Sequence, residues 1–103
     1  MIIETELTGL MATAVNLAAL FLVGAFVLAA VRLVLGPTLP DRVVALDLLT
    51  MLVVAFLALF TLATGVGAYL DAALALALVG FLATIAFARF VDLTPQDRPG
   101  ERR

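Results

Sequence analysis

From Leu7 to Val31 the chain carries no charged side chain, and from Leu48 to Leu70 it again carries none. A run of about 20 apolar residues is what an α-helix needs to cross a bilayer whose hydrocarbon is about 30 Å thick. In hydrocarbon the backbone has no water to bond, so such a run must satisfy its own N–H and C=O groups as helix. This constraint predicts an all-α integral membrane protein. Its 103 residues leave room for three spans and not for four with loops, nor for a second, water-soluble domain. Composition agrees: 65% of the residues are hydrophobic and 14% charged, too little polar surface to cover a globule in water.

The turn signals divide the chain. Helix one is predicted over about residues 10–35, with Asn16 as its strongly polar interior residue. Gly36 and Pro37 follow as a stop signal. Thr38 and Asp41 have the spacing of a capping box for the next helix, and Pro40 falls in its first turn, where a missing N–H costs little. Helix two is predicted over about 43–63 and ends at Thr64-Gly65-Val66-Gly67. Helix three is predicted over about 68–90, with Asp71 at its start and Arg89 at its end. Residues 1–91 thus form one transmembrane unit, and the polar, proline-containing stretch 92–103 is expected to be a mobile cytoplasmic tail. The N-terminus, with Glu4 and Glu6 ahead of a long apolar run, does not read as a signal peptide.

Orientation follows from arginine. All six basic residues are Arg: Arg32 and Arg42 flank the first turn, and Arg89, Arg98, Arg102 and Arg103 lie at or beyond the end of helix three. With three spans these fall on one side, so the positive-inside rule predicts the N-terminus outside and the C-terminus in the cytoplasm.

Acids within spans are costly and call for partners. Asp47 lies near the cytoplasmic end of helix two. It either forms a structural ion pair with Arg32 or Arg89, at similar depth, or serves as a station for a proton or a transient Na⁺. Asp71 lies near the outer end of helix three, where this chain offers no cation. It must be solvated, neutral, or satisfied by another polypeptide or a bound cation, and an acid near a helix N-terminus is favourable. Asp41 is most simply a helix N-terminal acid, with a carboxylate at the cytoplasmic mouth as its functional reading. Asp47 and Asp71, on opposite sides, cannot share one ion. Small residues recur at helical spacing at Ala14, Ala18, Ala25 and Ala29, and at Ala73, Ala77, Gly80 and Thr84. Such faces let helices approach closely and suggest one component of a larger complex. The sequence has no Cys, His or Lys and no phosphate-binding loop, so an enzyme is not expected, nor a cofactor or a nucleic-acid partner.

The stretch Arg32-Leu33-Val34-Leu35-Gly36-Pro37-Thr38-Leu39-Pro40-Asp41-Arg42-Val43-Val44-Ala45-Leu46-Asp47 resembles the signature of the F subunits of the Mrp-type cation/proton antiporters, as do Tyr69-Leu70-Asp71 and Gly80 to Phe90. The resemblance covers about residues 30–91. It implies a small multi-pass component of a bacterial cell-membrane complex that exchanges Na⁺ for protons, with the E and G subunits as neighbours and a contribution to the Na⁺ path. On the matching positions it implicates Asp41 and Asp47, and Asp71 is a third candidate. Related F-like components also occur in membrane-bound hydrogenases, which keeps open a purely structural role in a hydrogenase or complex I-like assembly. A holin-like pore former is a further alternative, disfavoured by the structured Gly-Pro turn and the acids within helices.

Overall fold

The computed structural model describes residues 2–93. They form three α-helices: α1 (Ile2–Leu35), α2 (Leu39–Thr64) and α3 (Ala68–Leu93). At about 1.5 Å per residue these are about 51, 39 and 39 Å long, so each is long and apolar enough to cross a membrane.

Two boundaries differ from the sequence expectation. α1 begins at Ile2, not near residue 10. The end of the uncharged run is not the end of the helix: Glu4 sits in the first turn, where the helix dipole favours an acid, and the Thr8 hydroxyl bonds back to the Glu4 carbonyl. α2 begins at Leu39, not near Val43, because the capping box sets its start. Thr38 is extended, and its Oγ1 accepts from the Asp41 amide at 3.3 Å and donates to Asp41 Oδ2 at 2.8 Å. At the far end of the chain Asp92 and Leu93 continue α3; the remainder of the expected tail lies outside the described residues.

The first turn is packed around Gly36. A Cβ there would lie 3.0 Å from the Arg32 carbonyl oxygen, and Arg42 Nε donates to the Gly36 carbonyl at 3.3 Å. The second turn needs a different property of glycine. Gly65 caps α2 at φ 75, the left-handed region, and its amide donates to the Thr61 carbonyl at 2.8 Å. Phe60 and Tyr69 flank this turn with ring centroids 5.8 Å apart.

Both turns are short, so consecutive helices run antiparallel. α2 packs against α1 on one side and α3 on the other, and α1 and α3 do not touch. The helices thus lie in a single layer with α2 in the middle. Among the described residues the buried hydrophobic ones are all alanines, one per helix: Ala29, Ala45 and Ala73. Large side chains such as Phe21, Leu28, Leu78 and Phe81 point outward. A layer with small residues at its seams and large apolar ones on its faces needs lipid or other helices as solvent. The two small-residue stripes serve these seams. Ala29 is buried and Ala18 and Ala25 half-buried toward α2, whereas Ala14 is exposed. The α3 stripe is in close contact with α2: a Cβ on Gly80 would lie 2.9 Å from the Thr50 methyl.

That contact generates a test. The Thr50 methyl cannot swing aside freely, because Thr50 Oγ1 donates to the Leu46 carbonyl at 3.0 Å and holds the rotamer. Gly80→Ala should therefore destabilise the protein in mild detergent by about 1–2 kcal/mol, the range of overpacking. Gly24→Ala, where nothing lies within 4 Å, should not. Thermal unfolding of the two variants side by side checks the difference.

Candidate functional site

The α2–α3 seam brings Asp47 against Thr84. Asp47 stands eight positions into α2, about 12 Å along its axis. Thr84 is at a similar distance from the end of α3, as antiparallel pairing requires. The Thr84 hydroxyl donates to Asp47 Oδ1 at 2.8 Å and also lies 2.9 Å from the Gly80 carbonyl oxygen of its own helix. The close approach at Gly80 makes this contact geometrically available: a bulkier residue there would push the helices apart and draw Thr84 away from the carboxylate.

Asp47 is half-buried. Open grooves flank the pair on both sides of the seam. The larger, of about 320 Å³, is walled by Met51, Val54, Ala77 and Phe81; the smaller, of about 50 Å³, by Val43, Leu46, Ala83 and Phe87. Both share Asp47, Thr50, Gly80 and Thr84. Asp47 is the single titratable group lining either groove. It is a carboxylate in an apolar trough, with hydroxyl oxygens beside it and space for a small ion or water.

An ion pair of Asp47 with Arg32 or Arg89, one of the two readings of this acid, is not formed among the described residues. The layered arrangement explains this. Asp47 faces α3, whereas Arg32 belongs to α1 on the other side of α2. Arg89 stands five residues beyond Thr84, rotated by about 140° around α3 and away from the seam. Arg42 is engaged with the first turn.

The other candidate acids are placed apart. Asp41 is closed into the capping box with Thr38, and lies about 9 Å nearer the start of α2 than Asp47 and about 120° around the helix from it. Gly36, Pro37 and Pro40 build the turn that holds this cap. Asp71 is exposed in the first turn of α3, its amide bonded to the Gly67 carbonyl at 3.2 Å, about 20 Å along the helix from Thr84. It shares its end of the layer with Glu4, and Arg32, Arg42 and Arg89 share the other. Asn16 is exposed on α1.

In the sequence Thr84 stands out only as a small residue of a stripe. The signal that could have found it is the antiparallel hairpin: residues about equally far from Val66 on the two sides oppose each other, and Asp47 and Thr84 satisfy this.

Residues 40–92, the whole of this seam, match the family profile described as Multiple resistance and pH regulation protein F (MrpF / PhaF). The chain belongs to that family. Among its relatives, the F subunit of the Na(+)/H(+) antiporter of Bacillus subtilis is 42% identical over 62 residues, 60% of this chain and 66% of that protein. The Na(+)/H(+) antiporter F1 subunit of Staphylococcus epidermidis is 39% identical over 60% of this chain and 64% of its own length. That of Staphylococcus aureus is 37% identical over the same shares. The match thus spans a little under two thirds of these relatives. No solved structure matches the chain. This MrpF / PhaF member is a multi-pass membrane protein, with its three long apolar helices and its acid at the α2–α3 seam.

The absent ion pair can be checked by charge exchange. Because Asp47 does not face α1, the double variant Arg32→Asp with Asp47→Arg should give no more folded protein than Asp47→Arg alone. Yield after gel filtration in mild detergent is the measurement, and recovery to the wild-type level would reveal a pairing across α2.

Proposed function

We propose that this chain is a small membrane component of a multisubunit Na⁺/H⁺ antiporter in a bacterial cell membrane, and that Asp47 lies on its Na⁺ path near the cytoplasmic end. The observation that carries this reading is the partner of Asp47. A half-buried acid in a span whose cross-helix contact is a neutral hydroxyl keeps its charge available for a cation or proton. Na⁺ is a hard cation that takes oxygen ligands, and the carboxylate and the hydroxyls of the seam are oxygens. One carboxylate is an incomplete site, so water or a neighbouring protein completes the coordination. The relatives named as antiporter subunits support the same reading.

The E and G subunits of the antiporter are the proposed neighbours. The outward apolar faces and the exposed Asn16 on α1 supply surface for them, since an amide within a span is best satisfied by another helix. Asp71 is the third ion-path candidate, at the opposite end of the layer. Asp41 favours a second, structural role: its carboxylate is bonded within the cap of α2.

Asp47→Asn in a complex that still assembles should lower Na⁺-dependent proton exchange in everted membrane vesicles at least tenfold. Full exchange would remove Asp47 from the path. Asp41→Asn should instead act chiefly on stability, by about 1 kcal/mol, the usual value of a helix cap.

Orientation is proposed from the arginines: the end with Arg32, Arg42 and Arg89 faces the cytoplasm. The chain has no cysteine, so single introduced ones report cleanly. A membrane-impermeant maleimide added to intact cells should label Val66→Cys and leave Pro37→Cys unlabelled until the membrane is opened. The reverse pattern would invert the topology.

A further inference from the structure

The Thr84 hydroxyl faces two acceptors, Asp47 Oδ1 at 2.8 Å and the Gly80 carbonyl oxygen at 2.9 Å, with one proton to donate. The Gly80 carbonyl lies inside α3, where the helix ladder already bonds it, so it is an optional second acceptor. The other hydroxyl at the seam, Thr50, is held by the Leu46 carbonyl. An ionised carboxylate only accepts hydrogen bonds, and a protonated one gains a donor. Two arrangements therefore fit the same heavy-atom positions. With Asp47 ionised, Thr84 donates to it. With Asp47 protonated, the carboxyl donates to Thr84 Oγ1, and the Thr84 proton turns to the Gly80 carbonyl. Gain or loss of one proton at Asp47, together with a rotation of the Thr84 hydroxyl hydrogen, connects them, and both fit the same backbone.

We infer that Thr84 is a positioning residue for Asp47, its hydroxyl turning between the Asp47 carboxylate and the Gly80 carbonyl so that one seam accommodates Asp47 protonated, ionised, or ionised beside Na⁺. The inference rests on the reading of Asp47 as the ion-handling acid. In the exchange, Na⁺ meets the protonated carboxyl and the proton leaves to water in the groove. The carboxylate and a lone pair of Thr84 Oγ1 then face Na⁺, while the Thr84 proton stays on the Gly80 side. The net charge of the site is the same before and after. The neighbours of Asp47 leave this to Thr84: Val43 and Leu46 of α2 and Ala83 and Phe87 of α3 do not titrate.

The test uses the whole complex, with two readouts. One is the Na⁺ concentration giving half-maximal exchange in vesicles. The other is the infrared carboxyl band of Asp47 in the purified complex, identified by its loss in Asp47→Asn and followed in difference spectra between NaCl and choline chloride. Thr84→Val should raise the half-maximal Na⁺ concentration about tenfold, the order of one charge-assisted hydrogen bond, and should shift the band. Thr84→Ser should restore both to within about twofold of wild type. If Thr84→Val does not assemble, Thr84→Ala removes the same hydroxyl and carries the same expectation. Wild-type Na⁺ dependence and an unshifted band in the hydroxyl-free variant, with exchange still lowered at least tenfold in Asp47→Asn, would overturn the role of Thr84 and leave that of Asp47 standing. Unimpaired exchange in Asp47→Asn would instead overturn the ion-handling reading itself.

Discussion

The close approach of α2 and α3 at Gly80 and Thr50 is the contact on which the rest of this structure depends. Lipid tails are as apolar as leucine, so two helices in a membrane gain little by hiding leucines from each other. They gain by approaching until backbones and short side chains touch. Ala73, Ala77 and Gly80 permit this along one face of α3, and the same face ends in Thr84. The seam that holds the helices together is therefore also the seam that delivers a hydroxyl to Asp47. Packing and chemistry use the same residues, and a change of one methyl at Gly80 bears on both.

The turns make that register reliable. A helix end in or near a membrane leaves carbonyls and amides that must find partners. Here Thr38 and Asp41 satisfy the start of α2, and Gly65, in the left-handed region, satisfies its end. With both ends of the central helix capped, α2 has little freedom to slide. A slip of α3 by one residue would rotate Thr84 about 100° from Asp47. The caps thus act at a distance on the site, through register and not through charge.

A single layer of three helices has two broad faces and no interior. Among the described residues its buried hydrophobic side chains are alanines at the seams, and large side chains such as Phe21, Leu28, Leu78 and Phe81 point outward. Relatives of this family are named as subunits, and the outward faces of the layer are apolar surface of the kind that lipid or other helices cover. The flat arrangement also keeps Asp47 accessible from grooves on both sides of the seam, where a closed bundle would have enclosed it.

Much of this is legible in the residues. Uncharged runs of membrane length, the Gly36-Pro37 stop, the Thr38–Asp41 spacing and the paired glycines at 65 and 67 determine three helices and where the chain turns, because those are local matters of hydropathy, capping and backbone angle. The motif around Asp47 marks the family. α1 and α2 start earlier than about residues 10 and 43, because Glu4 sits well in the first turn of α1 and the Thr38–Asp41 cap sets the start of α2. What the sequence leaves open is which face of α2 meets which neighbour. Arg32 and Thr84 both stand within reach of Asp47 by depth alone. Only the tertiary structure decides between them, by setting α1 and α3 on opposite sides of α2 and turning Asp47 toward α3. Depth along a helix is written in the order of residues; the direction a side chain faces depends on what packs there.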